Sequence, residues 1–300
     1  MKILYARKLH GQDYLCDTIF HGLNQIPELE VTDVDRLWYM YKHEFQPIGN
    51  RHLHDLYGRG FTVWGLMQES SVNRNNVEKQ IKNHYFDLII LSRVDPDHLS
   101  RLYDLICNHY SSDEIIALDG WDNPSIIESV RGNSFSYYKR EFISDRNDIL
   151  PISFSIPKEK CLNDFPNKTQ AWSNVQPGRS CDYIYNNEQD YYDDYRRSLF
   201  GLTHKKGGWD CMRHYEILAN RCIPYFRDLH DAPKNVMTTL PKDLLIEIKN
   251  KVDQNTAEYY LPENAGWEQY KHWEQQVHDH FINNCTTEHA ARYILNNLKK

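Results

Sequence analysis

No stretch of this chain approaches the roughly 20 consecutive apolar residues that a membrane-spanning helix requires. Its opening, Met1-Lys2-Ile3-Leu4-Tyr5-Ala6, has no secretory apolar core and reads directly as a strand. The seven cysteines are scattered and odd in number, with no Cys-x-x-Cys pair. Free thiols in a reducing cytoplasm are the simple account, so the expected location is cytoplasmic. Internal repeats, low-complexity tracts and long blocks of like charge are missing. So are a Gly-x-Ser-x-Gly elbow and a Cys/His nucleophile pair. His278 and His280 are two apart and point to different helical faces, and no His/Cys/Asp cluster has zinc spacing, so no metal site is expected. The net charge of −7, from 35 basic and 42 acidic residues, argues against a surface wholly given to nucleic acid or anionic lipid. It leaves room for a local basic cleft.

What is present is enough chain for two modest domains. Its 300 residues should bury roughly three-quarters of the unfolded surface. Only 40% of them are hydrophobic, but 21 tyrosines and 7 tryptophans add apolar area. Strands are predicted over 2–6, 29–34, 86–92, 114–119 and 135–142, with an amphipathic helix carrying Leu15, Ile19, Leu23 and Ile26 and another over 76–84. Loops after the carboxyl ends of parallel strands line the ligand crevice of α/β sheets. Arg7, His10 and Gly11 are cleft candidates on that ground, or simply close a strand–helix turn. Residues 43–76 read as an irregular excursion with short helices. Asp95 before Pro96 reads as a helix cap, with Asp97 and His98 in the first turn.

Asp119 and Asp122 stand at and just beyond a strand's carboxyl end, where catalytic groups collect. Either could equally be a turn residue accepting backbone N–H bonds. The paired prolines of 150–157 mark the crossing into a second domain. Beyond it, 158–180 reads as a polar loop or lid holding Arg179, a phosphate-ligand candidate. Short strands are expected at 182–186 and 236–240, and helices at 188–196, 241–252, 267–283 and 287–298.

The most informative stretch is 198–226, which reads as strand, basic glycine turn, helix, strand. Asp210 is placed to cap a helix running to about 220. At 100° per residue, Arg213, Glu216 and Asn220 share one arc, opposite an apolar one that packs on a sheet. Lys205, Lys206, Gly207 and Gly208 precede the helix. Bare backbone, two lysines and the partial positive charge of the helix start suit a diphosphate. The alternative is a plain glycine turn with solvated lysines and an Arg213–Glu216 pair.

Ser198-Leu199-Phe200, Gly207-Gly208, Arg213, Glu216 and Cys222-Ile223-Pro224 together resemble the donor-binding signature of GT-B-fold glycosyltransferases, in particular the exostosin-like and CgeB-like groups. The match covers some thirty residues closely and the rest in outline. It implies an α/β, GT-B-like chain of two Rossmann-like domains facing across a cleft. The acceptor domain would be 1–155, the nucleotide-sugar domain 156–285, and a C-terminal helix, 286–300, would pack back on the first domain. The resemblance gives Glu216 the ribose hydroxyls and the basic groups at the turn the phosphates. Lys139 and Arg140 lie in an aromatic-Lys-Arg-Glu stretch like those of similar sequences, and so are expected at the cleft. Retaining members of the group carry a glutamate eight positions before the ribose one. Position 208 here is glycine, which favours inversion. The usual glycine before Ile-Pro is Cys222.

These readings lead to a glycosyltransferase moving a sugar from a nucleotide-sugar to a hydroxyl acceptor, with inversion, no metal and no cofactor beyond the nucleotide-sugar co-substrate. Asp119, Asp122 or His10 would be the general base, with His98 behind them. Two alternatives stay open: a transferase acting on a hydroxymethylated DNA base, and a non-catalytic nucleotide-sugar or glycan-binding protein on the same scaffold.

Overall fold

A computed structural model describes residues 1–7, 13–42, 62–68, 72–94, 101–175, 177 and 184–298 of the chain. The first lobe opens with β1 (Lys2–Ala6), α1 (Tyr14–Asn24) and β2 (Glu30–Asp33). It continues with α2 (Val77–Lys82), β3 (Leu88–Ser92), α3 (Tyr103–His109), β4 (Ile115–Asp119), α4 (Glu128–Arg131), β5 (Ser136–Lys139) and β6 (Ile149–Pro151). The six strands form one parallel sheet in the order β2-β1-β3-β4-β5-β6. β3 and β4 are buried along their whole length, which is why they read as continuous apolar runs rather than alternating ones. The Asp13 carboxylate accepts from the Cys16 N–H at 3.1 Å and starts α1.

The second lobe holds β7 (Gln170–Trp172), α5 (Glu188–Arg197), β8 (Ser198–Thr203), α6 (Met212–Ala219), β9 (Ile223–Phe226), α7 (Lys242–Gln254), α8 (Trp267–Asn284) and α9 (Thr287–Asn296). Its sheet is parallel, with β8 between β7 and β9. The last helix, α9, leaves this lobe and lies along α1 of the first. There the His21 ring meets the Thr287 hydroxyl at 2.9 Å and the Tyr138 hydroxyl donates to the Ile294 carbonyl at 3.2 Å. One apolar cluster therefore runs from the α1 side of the first sheet into the second lobe. A separate cluster fills the opposite face of the first sheet.

Several sequence expectations are corrected. The stretch 158–180 includes a strand, β7, and Lys168 is buried there, its ammonium donating to the carbonyls of Ser198 and Arg221 at 2.7 and 2.6 Å. Residues 236–240 form turns, with Met237 at φ 49°, and not a strand. Residues 184–186 are also not a strand, and 182–183 lie outside the described residues. The first sheet carries a further strand, β6, beyond the one expected at 135–142. Most of the 43–76 excursion and the Asp95–His98 stretch lie outside the described residues. Among the described residues, no helix is long and apolar enough to cross a membrane.

Candidate functional site

β8 is the central strand of the second sheet, so its carboxyl end opens at the edge where α/β folds bind ligands. The chain leaves it at Thr203, makes a basic turn and enters α6. The helix begins one residue later than the cap reading required. Cys211 is the N-cap residue, and no side chain caps it. Asp210 faces the other lobe instead, where its carboxylate accepts from the Phe154 N–H at 2.7 Å. Burial pushes the Asp210 carboxyl up to about 6, against the opposing pull of Arg140.

The turn itself meets the first lobe. A Cβ on Gly207 would lie 2.6 Å from a carboxylate oxygen of Asp122, and one on Gly208 would lie 2.5 Å from an oxygen of Glu141. The buried Glu141 leaves little room beside Gly208, whereas the exposed Asp122 beside Gly207 can turn aside. Glu141 accepts from the backbone N–H groups of Trp209 and Asp210, both at 2.9 Å. Arg140 donates to Glu141 at 2.9 Å, to the Asp210 carbonyl at 2.5 Å, to the Gly120 carbonyl at 3.0 Å and to the Asp122 carboxylate. Its guanidinium lies 4.5 Å from the centre of the Phe154 ring. Burial works against that charge, but Asp210, Glu141 and Asp122 around it hold its pKa above the ordinary arginine range. His214 fixes the turn from behind. Burial lowers its pKa to about 3, so the ring is neutral. Its Nε2–H donates to the Trp209 carbonyl at 3.0 Å, and its Nδ1 is 3.0 Å from the Thr203 hydroxyl.

Beside this contact lies a cavity of about 750 Å³ lined from both lobes. Asp13, Arg93, Trp121, Asp122, Arg140 and Glu141 line it from the first lobe, and Lys205, Gly207 and Trp209 from the second. The Lys205 ammonium stands 5.4 Å from the centre of the Trp209 ring. Asp122 is largely open to solvent here, with 64% of its side chain exposed.

Glu216 and Arg213 belong to a different environment. All of α6 is buried, so the open polar face expected from its periodicity is instead covered by α5 and by Thr62 of the first lobe. One Glu216 oxygen accepts from the Thr62 hydroxyl and the other from the Tyr191 hydroxyl at 2.6 Å. Tyr195 donates to Tyr191 at 3.3 Å, and the Tyr192 hydroxyl is 3.1 Å from that of Thr62. Burial raises the Glu216 pKa, opposed by those hydroxyls and by the nearby Arg213 charge.

The sequence candidates thus separate. Asp122, Arg140, Lys205 and Gly207 come together at the interlobe cavity, while Lys206, Gly208, Arg213 and Glu216 are outside its lining. Three candidates lie away from it. Asp119 is fully buried, and its carboxylate accepts from the Lys139 ammonium at 2.8 Å, the Tyr137 hydroxyl at 2.6 Å and the Trp121 N–H at 3.1 Å. It is the turn residue of the alternative reading. Lys139 is its buried partner, and burial lowers the ammonium pKa despite that carboxylate. Arg7 is buried against Asp17 under α1. His10, Gly11, His98 and Arg179 lie outside the described residues. Glu141, Trp209 and Trp121 were not singled out from the sequence. The one signal for Glu141 was its place directly after Lys139 and Arg140. Among the described residues, no group of three or more His, Cys, Asp or Glu side chains is arranged to hold a metal ion.

No family model matches the sequence, and no curated protein does either. Among solved structures, the chain is similar to an alpha-glucosyltransferase in complex with UDP and a 13-mer DNA containing a central A:G mismatch. The TM-score is 0.54 at 9% identity, over 100% of this chain and 98% of the other. Looser likenesses are a putative UDP-N-acetylglucosamine 2-epimerase from Listeria monocytogenes (TM-score 0.38, 10% identity, 98% and 94% covered) and the S. aureus MnaA–UDP co-structure (0.36, 11%, 100% and 95%). At these identities the likeness concerns the fold, which is GT-B-like with two Rossmann-like domains.

Proposed function

We propose that this chain is a glycosyltransferase that moves a sugar from a nucleotide-sugar to an acceptor hydroxyl, with inversion and without a metal. The observation that carries the reading is the basic turn before α6, which forms one wall of an interlobe cavity whose other wall presents the open carboxylate of Asp122. In this reading the donor lies on the Lys206, Arg213 and Glu216 side of the turn and the acceptor in the cavity. Glu216 already accepts two hydroxyl hydrogen bonds, the pair that a ribose 2′,3′-diol would offer in place of Thr62 and Tyr191. Asp122 takes the acceptor proton as its oxygen attacks the anomeric carbon. The bond from that carbon to the diphosphate breaks, and Lys205, Lys206 and Arg213 take up the charge on the departing group. Cations at the turn supply the charge that a metal would otherwise provide. The same reading divides the chain into domains at 155 and 285, places it in the cytoplasm and assigns it to the exostosin-like or CgeB-like group.

A thermal-shift series with UDP, GDP, ADP and their sugar conjugates tests this. A ligand at about a hundred times its Kd adds about 2.7 kcal/mol to apparent stability, a shift of several degrees. No shift with any nucleoside diphosphate would remove the donor site. A DNA-base acceptor is the second reading, favoured by the exposed Trp121 ring at the cavity, a stacking surface for a base. The DNA held by the similar alpha-glucosyltransferase points the same way. Steep weakening of duplex binding with salt would select it.

A further inference from the structure

The second glycine of the turn, Gly208, lies against the buried Glu141 carboxylate of the other lobe, and the first, Gly207, against the exposed one of Asp122. Glu141 of the first lobe bonds the N–H groups of Trp209 and Asp210 in the second. Asp210 of the second lobe bonds the Phe154 N–H in the first. Each lobe thus lends a carboxylate to the backbone of the other, and Arg140 joins the two by holding both Glu141 and the Asp210 carbonyl. Glu141 and Arg140 are almost wholly buried, so these bonds are made where water does not compete for them. Within its own lobe the turn is held by Asp228, whose carboxylate accepts from the Lys205 N–H at 3.2 Å, and by His214 at the Trp209 carbonyl. Lys205 and Lys206 are exposed, and the Lys206 N–H closes back on the Gly208 carbonyl at 3.0 Å.

We propose that Glu141 is a positioning residue: from the opposite lobe it sets the shape of the 205–210 turn and so the placement of the cations that hold the donor. This rests on the donor-site reading above. It assigns the second glycine a task distinct from phosphate contact. A flexible diglycine is shaped by a partner carboxylate, and the turn takes its working form only while the lobes are in contact.

The test compares Glu141→Gln with Asn235→Ala. The second variant breaks another tie between segments, Asn235 to the Ser144 carbonyl at 2.8 Å, without touching the turn. In Glu141→Gln an amide NH2 faces backbone N–H groups, and at least one of the two bonds is lost. Hydrogen exchange at 205–210 should quicken, and the Kd for UDP should rise, each by about tenfold or more. Asn235→Ala should change neither. Glu141→Asp keeps the charge but is one methylene short, and should weaken UDP binding in the same direction. It serves if the glutamine variant fails to fold. Unchanged exchange, or faster exchange with unchanged UDP affinity, would overturn the proposal. An equal loss of affinity in Asn235→Ala would also overturn it, because any loosening of the lobes would then suffice. Wild-type protein that binds no UDP, GDP or ADP would instead sink the donor site, and the exchange data would still decide whether Glu141 shapes the turn.

Discussion

Glu216 and Asp122 are both carboxylates that meet the opposite lobe, and they have opposite surroundings. Glu216 is sealed among the hydroxyls of Thr62 and Tyr191, with the Arg213 charge nearby, and its pKa is raised by burial. Asp122 shares the buried Arg140 guanidinium but keeps most of its side chain in solvent. In the proposed reading, the turn separates a dry binding side from a wet reacting side. A carboxylate that orients hydroxyls gains from exclusion of water, whereas one that takes a proton needs an open approach.

The largest expected effect comes from Arg140→Ala, which removes a cation shared by Glu141, Asp122 and the Asp210 backbone. Leaving Glu141 and Asp210 buried without it should cost about 3–5 kcal/mol in urea unfolding. A loss of less than about 1 kcal/mol would show that Arg140 and its carboxylate partners are not a stabilising unit.

Next is pH. The Asp210 carboxyl is raised to about 6 in the folded chain from an ordinary value of 3.8, with Arg140, Glu141 and Tyr215 as the charged and titratable groups around it. The folded state therefore binds this proton more readily than the unfolded state. The contribution of Asp210 to stability grows as pH falls from about 6 to about 4 and is lost as pH rises through 6, by at most about 3 kcal/mol. Asp210→Asn should flatten that slope relative to wild type. An identical slope would place the titration elsewhere.

Glu216→Ala should cost about 1–3 kcal/mol, through the hydroxyls left without acceptors. It should abolish nucleotide binding and turnover while circular dichroism stays native. Unchanged turnover would remove Glu216 from the donor site. The smallest change in stability belongs to Asp122→Asn, under about 1 kcal/mol because the carboxylate is mostly solvated. Here the contrast between the two sides is sharpest. UDP binding should persist while transfer falls at least about a hundredfold, the scale of general-base catalysis. Equal losses of binding in both variants would erase the distinction.

Much of the architecture was legible because it rests on period and punctuation. The continuous apolar runs of β3 and β4, the Leu15/Ile19/Leu23 stripe of α1 and the strand–turn–helix of 198–219 all fold as read. β7 was hidden because three residues carry no usable period. The environment of Glu216 was hidden for another reason. A helical wheel reports which residues share a face, not what covers that face, and Thr62 arrives from 154 residues away. Asp119 and Asp122 could not be told apart from the sequence. Only the register of β4 beside β5 puts Lys139 next to Asp119 and turns that aspartate inward. Glu141 was illegible as a partner of the glycines for the same reason, since its contacts lie across the interface between lobes.

The chain passes between the lobes twice, and the two passes lie side by side. Ile156 donates to the Cys285 carbonyl on the way out and accepts from the Thr287 N–H on the way back, both at 3.0 Å. The two crossings are thus stapled into one strap, and pulling them apart at this point would have to break both bonds at once.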